Sequence, residues 1–292
     1  MTAFANHSAA RTDRPARPVG KRISSFFLNL YVFLSSLLCL YPIFWLIYSA
    51  LKTQKEFDMN SVALPKAPTL DNFIHVITIS DMPRYMLNSL IVTVLSLLVI
   101  LTISFVTGYF LSRFKFRGHN LLYGIFLVGI LIPVHSLMVP MYVFFSRMKL
   151  TDHLLTLVLP YAAFQLPTGI YLVESYVHSI PREMEEAAAI DGSSFSYTLL
   201  HIILPMTRPA LMTSAIISFF YCWNEFSFAL ILTTSTSLRT IPLGLTLFKG
   251  TYSTNYPVMM AATVIAILPA LLLYTLFSKN IINGVVTGAV KG

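Results

Sequence analysis

The stretch Glu186-Ala187-Ala188-Ala189-Ile190-Asp191-Gly192 is a short polar segment in a chain that otherwise consists mostly of long apolar runs. Acidic residues crowd its start, where negative charge stabilises the first turn of a helix: Glu183, Glu185 and Glu186. Asp191-Gly192 predicts the end of that helix, because glycine adopts a left-handed conformation without a steric penalty. Ser193 or Ser194 can then cap a second short helix. The local sequence therefore predicts a helix, a sharp turn and another helix.

The composition indicates an integral membrane protein. Of the 292 residues, 56% are hydrophobic and 11% are charged, whereas soluble domains carry about 25% charged residues. The net charge of +8 does not indicate nucleic-acid binding, because the cations lie in short segments between apolar runs, where membrane topology explains them. Cys39 and Cys222 both lie in apolar runs, so we expect neither a disulfide framework nor a metal site.

Six apolar runs are long enough to cross a bilayer, which requires about 20 residues per helix. They lie at about 25–51, 85–111, 121–145, 153–177, 204–232 and 257–277. Pro133 and Pro140 lie within the third run, so a straight regular helix is not expected there. The fold class predicted is an all-α integral membrane protein of six transmembrane helices. Residues 1–23 are expected to form a disordered arm, residues 24–282 the membrane domain and residues 283–292 a C-terminal tail.

Basic residues give the orientation. If the N-terminus is cytoplasmic, the inside segments hold twelve of the 20 Lys and Arg residues and the outside segments hold eight. The densest clusters lie inside, next to the first two spans, so the positive-inside rule favours two cytoplasmic termini. The same count places the segment 181–202 in the cytoplasm.

The spacing of this segment resembles the cytoplasmic signature of the membrane subunits of ATP-binding-cassette (ABC) importers. That signature is Glu-Ala-Ala, three residues, Gly, nine residues, Ile, one residue and Leu-Pro. Glu186-Ala187-Ala188, Gly192, Ile202 and Leu204-Pro205 match every position. Shorter patches resemble the carbohydrate-importing branch, in particular the second permease of maltose-type systems: Ser49-Ala50-Leu51-Lys52-Thr53, Pro68-Thr69-Leu70-Asp71-Asn72-Phe73, Asn88-Ser89-Leu90, Trp223-Asn224-Glu225-Phe226 and Gly288-Ala289-Val290-Lys291-Gly292.

The resemblance implies a type I ABC importer permease in a bacterial inner membrane, whose cytoplasmic segment is a coupling helix that seats in a cleft of an ATPase subunit. Ala187 and Ala188 would allow close approach, and Glu186 would pair with a cation of the ATPase. Asp191-Gly192 would turn the chain back to the membrane, where Pro205 marks the next span. The implied partners are a second homologous permease, two ATPase subunits that bind ATP and Mg²⁺, an extracytoplasmic solute-binding protein and the lipid bilayer. The resemblance implies a tail that reaches between the ATPase subunits.

Four neighbouring residues are candidates for the translocation pathway: Tyr221, Trp223, Asn224 and Glu225. A carboxylate inside a span is costly and normally faces the bundle interior or a water-filled path. Glu225 could therefore bind sugar hydroxyls, or it could form a structural hydrogen bond to a neighbouring span. Tyr221 and Trp223 could stack on a sugar ring or pack against other helices.

Other readings remain open from the residues alone. The segment has an apolar stripe formed by Met184, Ala187, Ala188 and Ile190 and could lie on lipid, although such helices are usually basic. The cargo could be a non-sugar or acidic solute, such as glycerol phosphate, a polyuronate or a peptide. A secondary transporter is disfavoured because no internal repeat is evident. An enzyme is disfavoured because no acid–base pair, metal-ligand cluster or phosphate-binding glycine loop occurs, so the chain is expected to have no cofactor of its own.

Overall fold

The computed structural model describes residues 19–248 and 254–289, and every regular element within these ranges is helical. The α-helices are α1 (Val19–Ala50), α2 (Gln54–Met59), α3 (Asp71–Thr78), α4 (Met82–Arg113), α5 (His119–Ile130), α6 (Met138–Arg147), α7 (Val158–His178), α8 (Glu183–Ile190), α9 (Phe195–Tyr197), α10 (Leu204–Met206), α11 (Arg208–Asn224), α12 (Ser227–Leu232), α13 (Ile241–Leu245) and α14 (Tyr256–Ala289). Short 3₁₀ turns lie at Val134–Leu137, Leu154–Leu157, Thr236–Leu238 and Thr246–Phe248, and a π-helical turn lies at Thr198–Ile203. The all-α prediction is confirmed.

Four described helical segments are long and apolar enough to cross a membrane by themselves: Phe26–Ala50, Met82–Arg113, Leu154–His178 and Tyr256–Phe277. Two bent pairs bring the number of spans to six if each pair is one span. The first pair joins α5 to the segment Val134–Arg147 at 99°, which confirms that no straight helix forms around Pro133 and Pro140. The second joins Phe195–Met206 to α11 at 68°.

The fifth predicted span, 204–232, is less regular than its apolar sequence indicates. The helix beginning at Arg208 ends at Asn224, and Glu225 has an extended backbone conformation before α12 begins at Ser227. Glu225 therefore lies at a helix break rather than in the middle of a continuous helix. The last predicted span, 257–277, continues as a helix to Ala289 and so includes most of the predicted tail. Residues 1–18 of the predicted disordered arm lie outside the described residues, whereas residues 19–23 of that arm belong to helix α1.

Small residues allow α4, α7 and α11 to pack closely in the centre of the bundle. A Cβ atom built on Gly108 of α4 would lie 2.8 Å from Cγ1 of Val173 on α7. A Cβ atom on Gly169 of α7 would clash with the hydroxyl of Ser104 on α4 and lie 3.0 Å from that of Ser214 on α11. Close approach at small residues is the usual way in which helices associate in membranes, where apolar burial adds little.

Hydrogen bonds from Lys52 and to Asp152 hold the loops at the end of the bundle opposite α8. The buried Lys52 donates through Nζ to the carbonyls of Asn60 and Ser61, at 3.1 and 3.0 Å. The carboxylate of Asp152 accepts from the N–H groups of Thr234 and Ser235 and from the Ser235 hydroxyl, at 2.9, 2.8 and 2.5 Å. These hydrogen bonds, with that from the Ser235 hydroxyl the largest cause, lower the pKa of Asp152 to about 2.

Candidate functional site

The helix α8 ends in a turn that the sequence predicts correctly. Gly192 has φ of 81°, in the left-handed region. Its N–H donates to the carbonyl of Ala189 at 3.0 Å, and the N–H of Ser193 donates to the carbonyl of Ala188 at 2.9 Å. This pair of hydrogen bonds around a left-handed glycine is the Schellman arrangement, which satisfies the last carbonyls of a helix. The chain therefore reverses direction immediately after Asp191.

The second arm of the segment begins with a serine cap. The Ser194 hydroxyl accepts the N–H of Tyr197 at 3.4 Å, so Ser194 rather than Ser193 fills the capping role. The short helix α9 passes into the π-helical turn and then into α10, which contains Pro205. Thr207 separates α10 from α11 at the 68° bend. Pro205 thus lies just before a bend, and the segment joins directly to the helix that follows.

A charged cluster attaches α8 to the end of α4. The Glu185 carboxylate accepts from Nε of Arg113 at 2.5 Å and from the hydroxyl of Tyr109 at 2.8 Å. Arg113 also donates to the carbonyl of Ile180 at 2.9 Å, and Arg182 donates to the carbonyl of Arg113 at 3.1 Å. The side chain of Arg113 is only 6% exposed. This cluster holds the position of α8 relative to the membrane helices.

The outward face of α8 carries an exposed apolar tip. Ile190 is 86% exposed, although a large apolar side chain is costly to leave in water. Glu186 and Ala187 are also exposed, whereas Ala188 is buried against the rest of the chain. Of the predicted apolar stripe, only Ala188 packs inward. Exposed apolar residues with a polar rim are typical of an interaction surface.

A cleft of about 520 Å³ lies between the two arms of the segment. Its lining consists of Ala188, Asp191, Gly192, Ser193, Ser194, Tyr197 and Ile202. The small residues and the reversal at Gly192 make the cleft, because a longer helix would fill this space. The predicted coupling residues thus divide into an outward face (Glu186 and Ala187), a cleft (Ala188, Asp191 and Gly192) and the start of the next helix (Pro205).

Glu225 has a structural role in the second candidate region. It is 7% exposed, and its two carboxylate oxygens accept the N–H groups of Phe228 at 2.8 Å and Ala229 at 3.2 Å. The carboxylate therefore satisfies the free donors at the start of α12. The sequence leaves open a hydrogen bond to a neighbouring span. The two backbone N–H groups that donate to Glu225 belong to residues that follow it, and the Tyr161 side chain of the neighbouring helix α7 also interacts with the carboxylate.

The other three pathway candidates differ in exposure. Trp223 is buried, stacks on Phe219 with ring centroids 5.5 Å apart, and donates to the carbonyl of Ala266 at 3.2 Å. These contacts are those of a packing residue between α11 and α14. Tyr221 is half-buried, and Asn224 is exposed with its amide donating to the carbonyl of Phe220 at 2.8 Å. The exposed surface at this helix end is therefore formed by Asn224, Phe226 and part of the Tyr221 ring, whereas the Tyr221 hydroxyl oxygen is buried.

The described residues contain no group of three or more His, Cys, Asp or Glu side chains that could hold a metal ion. The carboxylates in the membrane helices have other partners. Glu174 on α7, for example, accepts the hydroxyl of Tyr123 on α5 at 3.1 Å. Glu174 therefore joins α7 to α5.

Comparison with known proteins identifies the family. Residues 101–285 match the family described as the binding-protein-dependent transport system inner membrane component. The chain belongs to this family. The matched range contains α8, its cleft and the break at Glu225. The permease is therefore a multi-pass inner-membrane subunit of an ABC importer and not an enzyme.

Relatives and a solved structure agree with this assignment. The permease is 39% identical over 252 residues to the putative ABC transporter permease protein ORF2 of a Caldicellulosiruptor species, covering 86% of this chain and 91% of that protein. It is 35% identical over 263 residues to the trehalose/maltose transport system permease protein MalG of Thermococcus litoralis, covering 89% and 94%. A crystal structure of a bacterial ABC transporter involved in the import of the acidic polysaccharide alginate matches with a TM-score of 0.80 at 20% identity, covering 91% and 99%. The last likeness establishes the shared type I permease fold.

Proposed function

We propose that the permease forms half of the translocation pathway of an ATP-driven importer for sugars or oligosaccharides. The Thermococcus litoralis relative, which aligns with 89% of the permease, is a trehalose/maltose transport system permease. The partners would be a second homologous permease, two ATPase subunits that bind ATP and Mg²⁺, and a solute-binding protein. In this arrangement the permease itself carries no catalytic group.

The observation that carries the proposal is that α8 exposes Ile190 at its end, while Glu185 in its first turn is bound to α4. Ile190 and Ala187 offer an apolar face for a cleft of the ATPase, and Glu186 offers a carboxylate to a cation beside it. Arg113 and Glu185 join the base of α8 to α4, and the bend at Thr207 joins the other arm to α11. A displacement of α8 would therefore move two membrane helices rather than deform a loop.

The proposed orientation places both termini and α8 in the cytoplasm. The basic side chains near α8 support this orientation, since Arg113, Lys115 and Arg117 lie at the same end of the bundle. An ATPase in the cytoplasm could then reach α8. The solute-binding protein would meet the opposite end, where Lys52 and Asp152 anchor the loops.

For the pathway, we propose that Asn224 presents its amide to the solute beside the partly exposed ring of Tyr221, whose hydroxyl oxygen is buried. Trp223 and Glu225 would hold this surface in place, because Trp223 packs on α14 and Glu225 caps α12. The break between α11 and α12 exposes the end of a helix within the bundle. Such breaks are tolerated where the backbone lines a cavity, which supports a solute path at this point.

The test is a pair of substitutions at Gly192, combined with purification from the native membrane. A Cβ atom at this position would meet no atom within 4 Å, so any effect of substitution arises from the left-handed backbone. Valine is strained there by roughly 1–2 kcal/mol, whereas asparagine tolerates this conformation. We expect Gly192→Val to lose the ATPase subunit during purification and to abolish sugar uptake, and Gly192→Asn to retain both.

Two results would contradict the proposal. One is purification of the wild-type permease without an ATPase or a second permease. The other is normal uptake by a Gly192→Val protein that inserts at wild-type levels.

A further inference from the structure

An open basic cavity lies at the start of α5, at the same end of the bundle as α8. It measures about 430 Å³ and is lined by Lys115, Phe116, Gly118, His119, Asn120 and Leu121. Its wall is fixed by His119, whose Nε2 lies 2.7 Å from the carbonyl oxygen of Leu111 and whose ring meets the Phe116 ring edge-on. The cavity is thus a formed feature of the turn between α4 and α5.

An apolar groove continues from this cavity along α5. It measures about 410 Å³, shares Asn120 and Leu121 with the cavity, and continues past Gly124, Ile125 and Val128. A Cβ atom on Gly124 would meet no atom within 4 Å, so this glycine leaves the groove open. From Asn120 to Gly129 the helical rise gives a length of about 14 Å. That length matches one leaflet, which is half of a hydrocarbon core about 30 Å thick.

The charge at the mouth of the groove is positive. Lys115 and Arg117 are exposed, and the ion pair found among the described side chains is that of Arg113 with Glu185. Glu174 faces α5 from α7, but it accepts the hydroxyl of Tyr123 and lies outside the residues that line the cavity. Lys115 lines the cavity, and Arg117 is an exposed residue of the same turn that lies outside that lining.

We propose that this cavity and groove bind one anionic phospholipid of the leaflet on the α8 side. The phosphate would lie beside Lys115 and Arg117, and one acyl chain would lie along α5. Basic side chains next to a membrane helix attract anionic headgroups by about 1 kcal/mol each near the membrane surface. The groove gives shape rather than hydrophobic driving force, because the surrounding lipid tails are as apolar as Ile125 and Val128. Selectivity for an anionic lipid therefore depends on the two cations.

The test measures bound lipid and requires neither ATP nor transport, so it is independent of the proposed function. The permease is purified with the subunits that accompany it, in detergent containing equal amounts of phosphatidylglycerol and phosphatidylcholine. Native mass spectrometry then counts the lipids retained. We expect one retained phosphatidylglycerol in the wild type and about fivefold weaker retention for Lys115→Gln and for Arg117→Gln, the effect of one surface cation.

Filling the groove separates a lipid from a free anion. Gly124→Leu occupies the acyl position without touching the cavity, and we expect it to abolish retention while the protein remains folded. Val139→Leu is the matched control, because it adds bulk at a 73% exposed apolar position outside the groove. Lys66→Gln is the control for charge, since Lys66 belongs to the loop after α2.

Three outcomes would overturn the proposal. Equal retention of the two phospholipids by the wild type would remove the role of the cations. Unchanged retention in Gly124→Leu, with displacement by inorganic phosphate, would indicate a simple anion site. Loss of a protein subunit rather than a lipid in Gly124→Leu would show that another chain covers the groove.

Discussion

The Nε atom of Arg113 lies 2.5 Å from Oε1 of Glu185, although the two residues are 72 positions apart in the sequence. Arg113 is the last residue of α4, and Glu185 lies in the first turn of α8. Tyr109, one turn earlier in α4, donates its hydroxyl to the other carboxylate oxygen of Glu185. The exposed face of α8 therefore stands on a base that is continuous with a 32-residue membrane helix.

This contact predicts a measurable coupling between Arg113 and Glu185. Arg113→Met leaves a carboxylate without its counter-charge, and Glu185→Gln removes the charge while keeping the shape. We expect each substitution to lower the thermal midpoint of the purified permease. The double variant should lose less free energy of unfolding than the two single variants added together. We expect a coupling free energy of about 1–2 kcal/mol, as for other contacting residues.

The control is Glu186→Gln, because Glu186 is the exposed neighbour and has no ion pair among the described side chains. It should leave the thermal midpoint within error of the wild type. Strictly additive effects of Arg113→Met and Glu185→Gln would show that the pair does not join the two helices.

For Ile190, at the exposed tip of α8, we predict an effect on ATPase binding without an effect on the stability of the permease. Because this side chain is 86% exposed, Ile190→Asp should leave the thermal midpoint of the isolated permease unchanged. Burial of an isoleucine is worth about 1.5–3 kcal/mol. We therefore expect a loss of roughly 10- to 100-fold in affinity for the ATPase subunit, measured with purified components. A substitution at Met59, which is 73% exposed but lies in α2, provides the matched control. Unchanged ATPase affinity would place the interface elsewhere.

The carboxylate of Asp152 predicts a pH dependence for the loop that follows α12. Its pKa is about 2 in the folded protein, below the ordinary value of 3.8. The stabilisation is therefore fully present above pH 3.8 and is lost as the pH falls through 2. Asp152→Asn keeps the tolerance for the observed φ of 61° but removes the charge.

The measurement is hydrogen exchange of the Thr234 and Ser235 amides, which donate to Asp152. After correction for intrinsic rates, wild-type protection should be constant from pH 8 to about pH 4 and fall between about pH 4 and pH 2. Asp152→Asn should reduce protection above pH 4 and remove the fall below it. Asp58→Asn is the control, because its carboxylate bonds only to Gln54 among the described residues. Equal protection in Asp152→Asn and the wild type would contradict the prediction.

The sequence predicts the local features of the coupling segment and misses its distant contacts. The turn at Gly192 follows from residue type, since few other residues adopt its φ without strain. The pairing of Glu185 with Arg113 could not be found, because three glutamates lie within four positions and the partner lies in another helix. Charge pairing at this distance depends on how α4 and α7 pack, which Gly108 and Gly169 determine.

The sequence also does not predict the helix break at Glu225, for a different reason. The run 204–232 is apolar on average, and hydropathy does not show that the Glu225 carboxylate accepts the N–H groups of residues that follow it. The only available signal was the cost of a charge at that depth, which indicated a partner without identifying it.

We predict that Glu225 contributes to stability, whereas its neighbour Asn224 contributes to solute recognition. Glu225→Gln replaces one acceptor oxygen with a donor that faces an N–H group, so α12 should lose about 1 kcal/mol of capping free energy. We expect faster exchange of the Phe228 and Ala229 amides and a lower thermal midpoint. Asn224→Ala removes only the hydrogen bond to the Phe220 carbonyl on an exposed surface, so stability should change little while sugar uptake falls several-fold. If Asn224→Ala transported normally and Glu225→Gln altered the preference among sugars without changing exchange at α12, the roles of the two residues would be reversed.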